Sequence, residues 1–323
     1  MLAVPDPARA IALAAIAVGS ERRPLVVAVP TSADADRLVN DLRAFVGATD
    51  VLYFPAWETL PFERVSPSIE AMGHRLRTLW YLRHPERSPR IVVAPVRALV
   101  QRLSPHVDEV EPVVIAPGMQ LDPQDLVEQL VGAGYRREAQ VEHRGEVAIR
   151  GSIVDVFPST ADGPVRVDLW GDEVERLSRF TVADQRSTDD LERVEIFPCR
   201  ELLLTDEVRA RAEELISSEP WGRKQWERLS QGLVFDGMES WLPWLTDDDR
   251  VLPDLLDGDA MVALVEPRRM RDRGADLLAE EADLADSPAR PGALSMPMST
   301  TTFFASISTS IGSWPRRPRR SAP

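Results

Sequence analysis

The sequence contains a single cysteine, Cys199, so neither an internal disulfide nor a cysteine-based zinc cluster can form. This usage is typical of a reducing compartment, and we expect a cytoplasmic protein. No apolar run approaches the roughly 20 residues of a membrane-spanning helix. The length of 323 residues and a mean hydropathy of −0.20 predict a soluble chain of about two or three globular domains.

Glycine-rich phosphate loops are also missing. The pattern GxxxxGK[ST], whose backbone N–H groups cradle a triphosphate, does not occur. The turn after the first predicted strand reads "PTSADADR", where Asp34 and Asp36 would repel phosphate groups. We therefore expect no ATP site and no cofactor.

Patterns that support catalysis or metal binding are absent as well. The four histidines are scattered without metal-ligand spacing, at His74, His84, His106 and His143. There is no GxSxG nucleophile elbow, and adjacent acids such as Asp172 and Glu173 are typical of turns. These residues predict no metal centre, no catalytic residues and no enzymatic activity.

Negative charge dominates the chain, with a net charge of −14, which is unfavourable for binding free nucleic acid. The last residues differ, because they carry a basic cluster without acids: Arg316, Arg317, Arg319 and Arg320. We expect segment 291–323 to be a disordered tail. A basic tail that binds nucleic acid is the alternative.

Short apolar strands alternate with helical patterns over residues 1–110. The strands read "LVVAV", "VLYF" and "RIVVAP", and helices are predicted around residues 6–17 and 68–82, with Ser32 capping the helix between them. Continuous apolar strands of this kind are typical of a parallel sheet covered by helices on both faces. The sequence therefore predicts an α/β fold for this part.

The pattern changes over residues 111–198, where strand alternation continues with few helices. Gly171 and Asp172 are suited to a tight hairpin turn. Helical patterns return over 199–290, including "DGMESWLPWL", followed by "AMVALVEP", which reads as one more buried strand. We interpret 111–198 as an α+β module, mostly antiparallel, inserted into a larger α/β unit.

The segment "FPAWETLPFERVSPS" combines three aromatic residues with three prolines between predicted elements. One interpretation is a long loop that packs through Trp57 and Phe62. The other is a functional loop. The residues alone leave both open.

The stretch "VRVDLWGDEVERL" contains an outward tryptophan. Val165, Val167 and Leu169 alternate with Arg166 and Trp170, so a strand that buries the first set exposes the second. Arginine and tryptophan are enriched at interface hot spots. Alternatively, Trp170 lies under a helix or stacks on Arg166.

Three blocks, "FPAWETLPFERVSPS", "RGEVAIRGSIVDVFPS" and "VRVDLWGDEVERLSRFTVADQRS", resemble the N-terminal, UvrB-like region of bacterial transcription-repair coupling factors (Mfd). The resemblance extends to about residue 290 and implies a degenerate RecA-like parallel sheet with an inserted α+β module. It also implies that the module recruits UvrA, by imitating UvrB, through Arg150, Arg166 and Trp170. The family often has phenylalanine at the last of these positions.

The resemblance implies further that the chain lacks the RNA-polymerase-binding and translocase domains of the family, and hence any polymerase contact. We expect a non-catalytic UvrA-recruitment region of transcription-coupled nucleotide excision repair, with DNA reached only through UvrA. The competing hypotheses are a nucleotide-dependent helicase or ATPase fragment and a direct DNA-binding module. The UvrA-recruitment proposal requires two exposed guanidinium groups and an exposed indole. An indole sealed inside the module, or either guanidinium locked in an internal ion pair, would contradict it.

Overall fold

The computed structural model describes residues 3–59, 65–246 and 248–285. Its helices are α1 (Arg9–Gly19), α2 (Ser32–Val46), α3 (Ile69–Arg83), α4 (Val96–Val100), α5 (Pro123–Gly132), α6 (Asp206–Ser218), α7 (Arg223–Ser230), α8 (Leu242–Leu245) and α9 (Pro267–Ala285). Its strands are β1 (Leu25–Val29), β2 (Val51–Tyr53), β3 (Ile91–Pro95), β4 (Val113–Ile115), β5 (Arg136–Arg137), β6 (Glu146–Arg150), β7 (Ile153–Val156), β8 (Val165–Trp170), β9 (Glu173–Phe180), β10 (Ser187–Asp190), β11 (Val194–Ile196) and β12 (Met261–Leu264). The predicted tail 291–323 lies outside the described residues. None of the helices in these ranges is both long and apolar enough to cross a bilayer.

The first sheet is parallel, with strand order β12-β1-β3-β2. Strands β1 and β3 are buried along their whole length, as their continuous apolar runs predict. Helix α2 begins after Thr31, whose side chain accepts a hydrogen bond from the Asp34 N–H. The prediction of Ser32 as the cap was wrong by one residue, because Thr31 has the extended backbone that an N-cap requires.

Strand β12 lies at the edge of this sheet, next to β1. Its Val262 and Leu264 are 38% and 42% exposed, so the prediction of a buried strand was wrong. An apolar run does not distinguish an edge strand from a central one, because both bury at least one face.

The antiparallel part forms a six-stranded sheet with the order β10-β9-β8-β7-β6-β5, and β4 pairs with β11 in a separate ribbon. Neighbours in the large sheet are antiparallel except β5 and β6. Gly171, at φ +61°, makes the predicted turn between β8 and β9. The parallel and antiparallel sheets together confirm the predicted α/β class.

Helix α5 covers one face of the large sheet. Its Leu126, Val127 and Leu130 share an apolar cluster with inward side chains of β8, including Val167 and Leu169. The opposite face of this sheet is therefore the one that α5 does not cover.

Later parts of the chain share a core with the first sheet. One cluster of buried side chains contains Val26 and Phe54 together with Trp226, Leu252 and Met270. The predicted helix over "DGMESWLPWL" is a 3₁₀ turn over Met238–Trp241 that leads into α8. The division of the chain at residues 110, 198 and 290 stays a prediction.

The start of the proline-rich segment packs into the interior. The Trp57 indole N–H donates to Glu201 at 2.9 Å, and Arg75 of α3 donates to the same carboxylate at 2.6 and 3.1 Å. Arg75 and Glu201 are fully buried. This contact ties α3 to the segment after β11, which supports the packing interpretation for Trp57; Phe62 lies outside the described residues.

Candidate functional site: the outer face of the antiparallel sheet

Side chains of β8 alternate between two environments. Val165, Val167 and Leu169 are buried towards α5, whereas Arg166 and Trp170 point to the opposite side. We call that side the outer face and define it by Arg150, Ile153, Asp155, Arg166, Asp168, Trp170 and Arg176. Strand register brings these residues together, since Asp155 lies opposite Arg166, and Asp168 lies between Ile153 and Arg176.

Trp170 is 80% exposed, more than any other large apolar side chain in the described part of the chain. It ends β8, directly before the Gly171 turn, and lies opposite Glu173. Glu173 in turn accepts a hydrogen bond of 3.3 Å from the side chain of Gln120. The indole therefore stands in solvent and is not covered by a helix, so the first alternative for this residue was wrong.

Arg166 is held inside the face. Its Nε and Nη2 donate to the two carboxylate oxygens of Asp155 at 2.7 and 2.9 Å, and Nη1 donates to the carbonyl of Gln185 at 3.0 Å. The guanidinium lies 4.7 Å from the ring centroid of Phe180, and the side chain is only 12% exposed. The hydrogen bonds with Asp155 raise the pKa of Arg166 above its ordinary value. Arg166 thus stacks on Phe180 rather than on Trp170.

Arg150 shares the same carboxylate. Its Nη2 donates to Asp155, which is fully buried, but the Arg150 side chain remains 41% exposed. Both guanidinium groups are therefore held in an internal ion pair, which contradicts the expected patch of two free guanidinium groups and an indole. Of the three predicted residues, only Trp170 and the half-exposed Arg150 remain open to a partner. Asp155 stands in the "DVFP" block, yet its place beside both arginines depends on strand register, which a single sequence does not reveal.

The outer face is amphipathic and carries a slight positive charge. Arg150 and Arg166 share the single charge of Asp155, which leaves this group with a net charge of +1. Burial raises the pKa of Asp168 above its ordinary value, against the opposing influence of Arg166. At the margin, Arg176 donates to Asp190 at 2.7 Å. An exposed indole and a half-exposed guanidinium on one face suit a partner surface that offers both apolar and acidic groups.

The carboxyl end of β1, where α/β sheets often bind phosphate, does not fit such a ligand. The Thr31 side chain occupies the N-cap of α2, and the Asp34 carboxylate lies in the first turn, where it pairs with Arg37 and Arg269.

Burial raises the pKa of the Cys199 thiol to about 12, which keeps it protonated and unreactive. Among the residues described, no group of acidic, histidine or cysteine side chains is arranged to hold a metal ion.

Comparison with known proteins adds to this geometry. Residues 113–202, which contain the whole outer face, match the UvrB interaction domain. The chain is 38% identical over 293 residues to the transcription-repair-coupling factor of Mycobacterium tuberculosis, covering 86% of this chain and 23% of that protein. The coupling factor of Myxococcus xanthus is 36% identical over 284 residues (82% and 24%), and that of Escherichia coli 29% over 304 residues (91% and 26%).

These matches confirm the resemblance that the sequence motifs indicated. The chain spans about a quarter of the length of the coupling factors that it matches. None of the matches assigns a role to an individual residue, so the contribution of Arg150, Arg166 and Trp170 to binding stays a prediction.

Proposed function

Because the chain is similar to transcription-repair-coupling factors and contains a UvrB interaction domain match, we propose that its outer face recruits UvrA. In this role the chain imitates UvrB and serves transcription-coupled nucleotide excision repair without a chemical step of its own. The observation that carries the proposal is the 80% exposed indole of Trp170, which projects from a strand whose other face is buried.

Exposure of that indole to water is unfavourable, and a binding partner that covers the ring removes this unfavourable contact. A large apolar ring in water gains free energy when a partner covers it, and tryptophan and arginine dominate many interfaces. Arg150 stands on the same face and is 41% exposed, so it has N–H groups available for charge-assisted hydrogen bonds with acidic groups of UvrA. Arg166 belongs to the same face but contributes from within it.

Side chains at the end of the first sheet support a role without catalysis. Thr31 and Asp34 occupy the position where a nucleotide phosphate would bind. A helicase or ATPase fragment would need that position to accept negative charge. A direct DNA-binding role is disfavoured by the net charge of −14 and by the small excess of positive charge on the outer face. We also propose that DNA is reached only through UvrA, that this chain makes no RNA polymerase contact and that it acts in the cytoplasm.

Competition with UvrB tests the proposal. Labelled UvrB bound to UvrA is mixed with increasing amounts of the purified chain, and release of UvrB is followed by fluorescence anisotropy. We expect the wild-type chain to displace UvrB, because both would occupy the same surface of UvrA. Failure of the chain to displace UvrB at any concentration would contradict the imitation of UvrB.

Two parallel assays address the competing functions. ATP hydrolysis by the chain alone, with and without DNA, should stay at the level of buffer. Labelled duplex DNA should show no salt-sensitive shift with the chain in the absence of UvrA. Hydrolysis would favour the ATPase fragment, and a shift that weakens steeply with salt would favour direct DNA binding.

A further inference from the structure

The outer face contains a buried charge that the sequence comparison does not explain. Asp155 is 0% exposed and lies on β7, between β6 and β8, yet its carboxylate points towards the face that is open to solvent. A buried carboxylate is costly unless it is paired, and here both of its oxygens accept hydrogen bonds from arginines of the neighbouring strands.

The two arginines use that carboxylate differently. Arg166 forms the bidentate pair, stacks on Phe180 and donates to a backbone carbonyl, so every nitrogen of its guanidinium has an internal acceptor. Arg150 is attached through Nη2 alone, and its side chain is 41% exposed against 12% for Arg166. The first arginine is therefore part of the framework, and the second presents its remaining donors outwards.

We propose that Asp155 is the positioning residue of the UvrA-binding face, holding the exposed guanidinium of Arg150 in its binding orientation while Arg166 anchors the carboxylate from the other side. The inference rests on the proposed function, because it assigns roles within the same face. Arg166 accordingly acts through Asp155 rather than through direct contact with the partner.

The advantage of such an arrangement is preorganisation. An exposed arginine samples many rotamers, and its immobilisation on binding normally costs conformational entropy. An internal ion pair with a fixed, buried carboxylate already restricts these rotamers in the unbound chain, so less entropy is lost on binding. It also screens the repulsion between two guanidinium groups that share one site. Loss of the carboxylate charge should therefore weaken binding by about tenfold, which corresponds to about 1.4 kcal/mol.

A double-mutant cycle tests the inference in the full chain. UvrA affinity is measured by calorimetry for the wild type, Arg150→Ala, Asp155→Asn and the double variant. We expect Asp155→Asn to weaken binding about tenfold in the wild-type background and by less than about twofold in the Arg150→Ala background. A residue that merely supports the fold would weaken both backgrounds alike, and that additive outcome would overturn the inference.

Asp125→Asn is the matched control, because it makes the same substitution at an exposed position of α5, the helix that covers the opposite side of the same sheet. It should leave the affinity within about twofold of the wild type. Thermal unfolding of each variant shows whether the fold is retained. If Arg150→Ala itself leaves UvrA binding unchanged, the proposed function fails at this residue. If Arg150→Ala weakens binding but Asp155→Asn does not, only the positioning role is wrong.

Discussion

At the scale of single residues, Arg166 of the outer face contributes to the stability of the fold, whereas Trp170 is available for binding. Arg166→Ala removes the bidentate partner of a buried carboxylate and the stack on Phe180, so it should lower the free energy of unfolding by about 3 kcal/mol. Trp170→Ala removes a side chain that is 80% exposed and should change it by less than about 0.5 kcal/mol. Urea unfolding followed by circular dichroism measures both. Equal losses for the two variants would contradict this division.

A histidine on α3 gives the molecule a pH dependence. Burial lowers the pKa of His74 to about 4, assisted by Arg77, Arg144 and Arg43; the carboxylate of Glu70 lies 3.8 Å away but is half exposed and screened by solvent. Between the unfolded value of 6.5 and about 4, only the unfolded chain binds this proton. The contribution of neutral His74 to the free energy of unfolding is therefore fully present above pH 6.5 and is lost as the pH falls towards 4.

The loss that His74 causes amounts to about 3 kcal/mol. His74→Gln removes the titration while other groups titrate as before. The difference in free energy of unfolding between the wild type and this variant should shrink by that amount from pH 7 to pH 4, measured by urea titration at each pH. Parallel pH profiles of the two proteins would show that His74 does not carry this dependence.

The sequence alone predicted which way Trp170 points, because side-chain direction in a strand has a period of two. It did not predict that Arg150 and Arg166 meet at Asp155, since that contact crosses three strands whose register is set by the intervening turns. Phe180, beneath Arg166, was missed for the same reason.

At the scale of elements, helix α3 lies close against the antiparallel module at Gly73. A Cβ at this position would lie 2.5 Å from the Ser159 Oγ, and Ser159 is fully buried and donates to the carbonyl of Phe197 at 2.9 Å. Gly73→Ala should therefore cost about 1 to 3 kcal/mol despite the better helix propensity of alanine. Chemical denaturation measures the loss.

Gly132→Ala on α5 is the control for this substitution, because a Cβ there meets no atom within 4 Å. It should leave stability unchanged or raise it by up to about 1 kcal/mol. Addition of Ser159→Gly to Gly73→Ala should recover part of the loss by making room for the methyl group. A Gly73→Ala variant as stable as the wild type would disprove the close approach.

Element types were more accessible from the sequence than element environments. The helix expected at residues 68–82 spans Ile69–Arg83, with Ser68 accepting the N-cap hydrogen bond from Ala71. One element whose environment was misjudged is β12, whose apolar residues resemble those of β1 although it lies at the sheet edge. Position within a sheet depends on strand order, and strand order is a property of the whole fold.

At the scale of the whole molecule, buried polar contacts join regions that are distant in the chain. Arg75, Trp57 and Glu201 meet in the interior, and Arg200 pairs with the buried carboxylate of Glu239 at 3.0 Å. These contacts lie shortly after β11, where the chain leaves the ribbon of β4 and β11 for α6. Buried polar contacts thus hold the segment that follows β11 against helix α3 and the 3₁₀ turn Met238–Trp241.

Equilibrium titration of UvrA with the purified chain shows whether the outer face binds UvrA around Trp170. Phe45→Ala serves as the control, because Phe45 is an aromatic residue that is 54% exposed on α2. Trp170→Ala should weaken the affinity at least about tenfold, whereas Phe45→Ala should stay within about twofold of the wild type. A Trp170→Ala chain that binds UvrA as tightly as the wild type would contradict the claim.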